Sequence, residues 1–250
     1  MISFIKKFLF IHVPKTAGRS IKEKLALQGV DKLGLVLLGH LPVNKIFDSQ
    51  GEINTAPITK KMNILKKLKY YRKEKRKNAR GIKGHYYRDL VLNSENRISK
   101  LKGLKIDDFF KFSVTRNPWD RMVSTFLQQD RIEHKLIRRK YPQLANRKSI
   151  DFETYCELAI EQRDYNYSSL SRMKDKNNEV KMDFVLKFEN LEKDWISICN
   201  SISIDHQPLP WVGKAPNTKF DTYQKYYNSN TKKIIKNNFE EDIEYFKYTF

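Results

Sequence analysis

The sequence predicts an α/β fold: a P-loop-like three-layer sandwich with a central parallel sheet flanked by helices. Three observations carry this. Short apolar runs, "FLFIHV" at 8–13, "FFKFSVT" at 109–115 and "MDFVLKFE" at 182–189, have the length and composition of core strands. Amphipathic stretches follow each run, and strands alternating with helices build a parallel sheet covered by helices. The 250 residues, 40% hydrophobic and 12% aromatic, suit one domain, and a single domain over 1–250 is expected.

The first element is the strand Phe8–Val13, and the lysine-bearing lead-in "MISFIKK" is read with it. Pro14 stops it. A helix over Arg19–Gln28 follows, with Ile21 and Leu25 one turn apart and Gly29 as its C-terminal cap. Residues 30–56 contain "LGLVLLGHLPVNKIF", read as a strand and then a short helix from about Pro42. Residues 57–80 hold 11 Lys/Arg against one acid, and Ile64, Leu65, Leu68 and Tyr71 recur at helical spacing. This is a basic insertion, either an amphipathic helix or an exposed flexible segment. Glycines around His85 mark a turn before the 109–115 strand. Pro118 belongs in the first turn of the next helix, with Met122, Val123 and Phe126 inward. Asp151–Arg163 is another amphipathic helix. After the 182–189 strand, Asn190 is placed to cap a helix that turns Leu191, Trp195, Ile198 and Ile202 inward. Residues 208–217 read as loop. The C-terminal stretch reads as one helix with Ile235, Phe239, Ile243 and Phe246 on one face.

The formal net charge is +20, and the 57–80 block supplies +10 of it. Such an excess points to an anionic partner, with a solvated lysine-rich surface as the plain alternative. Cys156 and Cys199 lie in separate amphipathic stretches without a CxxC pair, which argues against a disulfide framework and fits a reducing compartment. The five histidines (12, 40, 85, 134 and 206) show no metal-ligand spacing, so no metal is expected. The apolar run near the start is far shorter than the ~20 residues of a membrane span.

"PKTAGRSI" at 14–21 leads out of the first strand into a helix. A loop of that kind surrounds an anion with backbone N–H groups, backed by the positive end of the helix dipole. Thr16 and Ser20 bring hydroxyls. Gly18 is expected to let the backbone approach the ligand. Lys15 stands at the front of the loop, unlike the lysine of G-x-x-x-x-G-K-[ST]. A second strand end has a similar character: "TRNPWDRMVS" places Arg116 at the strand's C-terminal edge and Ser124 in the following helix. Ligands of open α/β sheets bind at the carboxyl ends of strands.

"FIHVPKTAGRSI" resembles the 5′-phosphosulfate loop of sulfotransferases, and "FSVTRNPWDRMVS" resembles their 3′-phosphate motif. Their pairing, order and spacing are similar to those of the carbohydrate sulfotransferases. That family includes heparan and chondroitin/uronyl O-sulfotransferases and bacterial polysaccharide relatives. "DFVLKFENLEKDW" and "DIEYFKYTF" resemble later segments of it, so the likeness runs from about residue 8 to 250, weakest over 30–80. The resemblance implies 3′-phosphoadenosine 5′-phosphosulfate (PAPS) as sulfuryl donor, without a metal. It implies that Lys15, Thr16, Ala17, Gly18, Arg19 and Ser20 hold the 5′-phosphosulfate, with Lys15 at the bridging oxygen, and that Arg116 and Ser124 hold the 3′-phosphate. Asn217 and Lys219 resemble a late donor-binding loop. The acceptor implied is a saccharide hydroxyl, and His85 is the first candidate for its base, with His40 second. Trp119 is placed in the core, with the adenine as its other possible neighbour.

The expected enzyme is thus a carbohydrate O-sulfotransferase, cytoplasmic and bacterial, with a membrane surface or an anionic acceptor as the expected partner of its 57–80 block. Nucleic acid is not an expected partner, since no nucleic-acid motif accompanies the basic block. Two alternatives remain at this point. One is a P-loop-type nucleotide kinase or NTPase, which the missing G-K-[ST] ending opposes. The other is a basic polyanion-binding module.

Overall fold

The structure is a computed structural model; it describes residues 1–38, 40–63, 94–127, 150–161, 168–210 and 223–250. The strands are β1 (Ile2–Ser3), β2 (Phe8–Ile11), β3 (Leu35–Val36), β4 (Phe110–Thr115) and β5 (Phe184–Lys187). The helices, in chain order, are α1 (Gly18–Leu27), α2 (Val43–Ile46), α3 (Ser94–Ser99), α4 (Pro118–Phe126), α5 (Phe152–Glu161), α6 (Ser169–Met173), α7 (Leu191–Ser201), α8 (Ser229–Asn238) and α9 (Glu240–Phe246). Residues 55–63 are also helical. The chain divides into two units: Met1–Val13, Ala17–Val114 and Arg172–Val212 form the first, and Pro14–Thr16, Thr115–Ser171 and Gly213–Phe250 the second.

The first unit is built on a five-stranded sheet in the order β3-β1-β2-β4-β5. β2 and β4 pair in parallel, Phe8 with Phe110 through Ile11 with Ser113, as the alternating pattern predicts. β1 departs from the expected parallel sheet: it runs antiparallel to both β2 and β3. The lead-in read with the first strand is therefore a strand of its own, turned back through residues 4–7, with Lys7 at φ 51°. Antiparallel neighbours need only such a tight turn, whereas parallel ones need a crossover.

All four residues of β2 are buried, as are Phe112 and Val114 of β4. Burying a side chain of this size contributes about 2 kcal/mol. Ile21 and Leu25 of α1 and Trp195, Ile198 and Ile202 along α7 join the same core, matching the inward faces predicted for them. Lys111 ties β4 to the residue that precedes its other neighbour, β5. Its backbone N–H donates to Asp183 Oδ2 at 2.6 Å and its ammonium lies 3.0 Å from the same oxygen. Asn190 does stand at the N-cap of α7, but its side chain makes no capping bond. Asp194 turns back instead and accepts from the N–H of Lys187 at 2.9 Å.

The second unit has its own core of Trp119, Met122, Val123, Phe126, Phe152, Tyr155, Ile235 and Phe239. Trp119 is 3% exposed and donates its indole N–H to the carbonyl of Lys232 at 3.2 Å, so it is core. The single C-terminal helix expected from periodicity is two helices, because the backbone breaks at Phe239 (φ −123°, ψ 24°). The break is useful: Asp242, in the first turn of α9, is fully buried and accepts from the N–H groups of Ser169 and Leu170 at 2.6 and 2.9 Å. It thereby satisfies the exposed donors at the start of α6. Arg121 donates to Ser169 Oγ at 3.0 Å and approaches Asp242 at 3.9 Å, which keeps the carboxylate's charge compensated.

Candidate functional site

In the first unit, β2 ends at Ile11 and the chain reaches α1 through Ala17, the N-cap residue, held at φ 61°. A left-handed conformation costs an ordinary residue about 1–2 kcal/mol. Ala17 offers no side-chain cap, and the first turn of α1 contains no acid. The N–H of Ser20 is taken by the carbonyl of Ala17 at 2.8 Å. Gly18 and Ser20 are buried, and Arg19 is exposed. A side chain at Gly18 would fall on the ring of His12, 1.9 Å from Cδ2 and 2.3 Å from Nε2. The expectation that Gly18 clears a path for a ligand therefore changes: the space its missing side chain leaves is filled by His12.

His12 is 5% exposed and its Nδ1 has no hydrogen-bond partner. Its ring lies 4.2 Å from that of His40, centroid to centroid. Its carbonyl faces His40 Nδ1 at 3.4 Å, a long contact in which the ring nitrogen must be the donor. That tautomer leaves His40 Nε2 with a free lone pair. The backbone carbonyl of His40 accepts from Arg172 at 2.5 Å. His40 is exposed as a residue although its ring packs on His12. Lost solvent around the ring, and then repulsion from Lys22, hold its pKa below the ordinary histidine value. Burial, again followed by Lys22, keeps His12 neutral. Lys22, 8% exposed on α1, is pushed down to about 8 by burial and by Arg19.

In the second unit, Lys15 is half-buried at φ 69° and Thr16 is fully buried. Arg116, 6% exposed, donates from Nε to Asp120 Oδ2 at 2.7 Å and from Nη1 to the carbonyl of Lys15 at 3.1 Å. It thus ties the end of β4 to the lysine turn. Asn117 caps α4 by accepting from the N–H of Trp119 at 3.0 Å, with Pro118 following in the first turn as predicted. Its amide also donates to the carbonyl of Thr249 at 2.7 Å. Ser124 is half-buried on α4.

The model of the sulfotransferase family matches residues 1–249. The chain belongs to the sulfotransferase family. No curated protein and no solved structure matches it.

For this sulfotransferase, the structure brings Lys15 and Arg116 into direct contact through the lysine's carbonyl. Ala17, Gly18 and Ser20 form the head of α1 near His12, and His40 lies against His12. His85, Asn217, Lys219 and the greater part of the basic block, residues 64–80, lie outside the described residues. Among the described residues, no helix is long and apolar enough to cross a membrane. Sequence reasoning missed His12 and Lys22. The sequence places Lys22 four residues after the loop's glycine, beside the apolar Ile21 of the same helix, but that position does not by itself separate a buried lysine from a solvated one.

Proposed function

We propose that this sulfotransferase moves the sulfuryl group of PAPS to a hydroxyl of a saccharide acceptor, and that one sulfotransferase domain spans the chain. The observation that carries the donor assignment is the head of α1. Two left-handed residues lead to it, no side chain caps it, no acid stands in its first turn, and the buried Lys22 follows one turn on. A helix N-terminus left in that state stabilises an anion. Its place in "PKTAGRS" makes Lys15, Thr16, Ala17, Gly18, Arg19 and Ser20 the holders of the 5′-phosphosulfate. Arg116 and Ser124 are assigned to the 3′-phosphate, with Asn217 and Lys219 as further donor contacts.

His40 takes the part of the base ahead of His85, because its tautomer presents an unprotonated Nε2, and burial of the ring, followed by the charge of Lys22, keeps it neutral. The acceptor O–H proton passes to Nε2 while the acceptor oxygen forms its bond to sulfur. The bond from sulfur to the bridging oxygen breaks, and 3′-phosphoadenosine 5′-phosphate (PAP) leaves. Lys15 stabilises the charge that grows on the bridging oxygen, the kind of term that dominates many enzymatic rate enhancements. The saccharide acceptor rests on the family resemblance of the paired motifs. The basic 57–80 block supports an acidic acceptor chain or a membrane surface as its partner.

The test is transfer of radiolabelled sulfate from PAPS to a panel of polysaccharides and glycosides. Wild-type chain should label a saccharide, and Lys15→Ala should not. Calorimetric titration with PAP and with Mg-ATP separates this reading from a nucleotide kinase: tight PAP binding supports it, and binding of Mg-ATP alone rejects it.

A further inference from the structure

We propose that Lys22 is a second lysine ligand of the anion at the head of α1, and that it contacts the sulfonate being transferred. This rests on the reading of the chain as a PAPS-dependent transferase.

Lys22 lies one turn beyond Gly18, whose missing side chain is aimed at the ring of His12. Residues four apart share a helix face. The Cα–Cβ bonds of a helix lean toward its N-terminus. The side chain of Lys22 therefore leaves α1 on the face that meets His12, and its charge acts on both His12 and His40. It is 8% exposed and takes part in no hydrogen bond or ion pair among the described residues. A lysine buried so deeply is ordinarily paired with a carboxylate. Here the ionisable groups that act on Lys22 and on its histidine neighbours are all basic. Arg19 lies near Lys22, and Lys22, Arg172 and Lys61 lie near His40. His12 adds an unpartnered Nδ1 at the same place.

A buried lysine without a counter-ion among the described residues, beside an uncapped helix N-terminus and an unpartnered His12 Nδ1, makes an anion site. Which part of the donor fills it follows from His40. A base must stand beside the attacking hydroxyl, and the attacking hydroxyl stands beside the sulfur. The anionic group nearest His40 is then the sulfonate, not the 3′-phosphate. An ammonium with three donors suits oxygens whose charge is spread over a flattening sulfuryl group. A bound sulfonate would also keep Lys22 protonated, opposing the downward pull of burial.

Full-length wild type, Lys22→Met, Lys22→Gln and Lys22→Arg are titrated calorimetrically with PAPS and with PAP, without acceptor. PAP is the donor without its sulfonate. Lys22→Met and Lys22→Gln should weaken PAPS binding roughly tenfold or more, the size of a hydrogen bond to a charged group. They should leave PAP binding within about threefold, below the size of one such bond. Lys22→Arg should recover part of the loss. Lys22→Met should keep or raise the thermal midpoint, because it replaces an unpaired buried charge by an apolar chain. Unchanged PAPS binding in both neutral variants overturns the proposal, as does an equal loss for PAPS and PAP. Should Lys22→Met fail to fold, the Gln and Arg variants decide the same question. Failure of wild type to bind PAP would reject the donor assignment itself, a result distinct from either of these.

Discussion

After β2 the chain enters α1 through Ala17, and after β4 it enters α4 through Asn117. Both are strand-to-helix turns, and they handle the helix dipole in opposite ways. The turn into α4 is complete by itself. Asn117 caps it, Pro118 fills the position that needs no N–H, and Asp120 places a carboxylate in the first turn, paired with Arg116. The turn into α1 has none of these. Its N-cap is a strained alanine, its first turn is basic, and the buried Lys22 behind it lacks a counter-ion among the described residues. One helix start is built for stability. The other leaves its positive end for a ligand, and the cost is carried by the surrounding packing.

The largest effect should come from Arg116→Ala, which breaks the self-contained turn and also releases the Lys15 carbonyl. Removing one partner of a largely buried pair costs about 3 kcal/mol, which urea unfolding would measure. Sulfate transfer should fall by about 10²-fold as the lysine turn loses its anchor. Retained activity with lost stability would reduce Arg116 to a structural tie. Gly18→Ala breaks the other turn. Its new methyl collides with the His12 ring, so overpacking should cost about 2 kcal/mol. PAP binding should weaken as His12 and His40 shift. A wild-type thermal midpoint and affinity would show that the ring moves aside freely.

A pH series sharpens the comparison further. In the free enzyme His40 is held below its ordinary value, so it stays neutral into acidic solution. Donor binding adds negative charge at the head of α1, which favours the protonated form and raises the pKa. The acid limb of kcat, which reports the donor complex, should then lie about one pH unit above the acid limb of kcat/KM for PAPS. Coincident limbs would remove His40 from the anion's reach. The smallest effect is reserved for Asn117→Ala. Loss of the cap should cost about 1 kcal/mol and weaken PAP binding less than Gly18→Ala does, because Arg116 keeps its own bonds to Asp120 and to the Lys15 carbonyl.

The sheet was legible where burial leaves a continuous apolar run, as in β2 and β4. It was illegible where a strand is two residues long, as in β1. The break between α8 and α9 escaped because Phe239 keeps the apolar period running through it while its backbone leaves the helix. The anion loop could be read because glycine, hydroxyls and lysine are grouped in sequence. The residues packed behind it could not. His12 looks like one more residue of a core strand, and Lys22 looks like the solvated side of a helix. Their meaning depends on the direction of the missing Gly18 side chain, which only folding defines.

Each unit also carries one free, fully buried cysteine, Cys199 in the first and Cys156 in the second. Burial pushes the Cys156 thiol up to about 12 and the Cys199 thiol up to about 11. Neither presents a thiolate to solvent in the native state, and the thiolate is the reactive form. Alkylation at neutral pH should therefore follow opening of the chain around each sulfur. The two thiols form a pair of built-in clocks, one for the unit that holds the sheet and one for the unit that holds the helical core. Mass spectrometry of the labelled peptides would read them separately, with no probe added to the sequence.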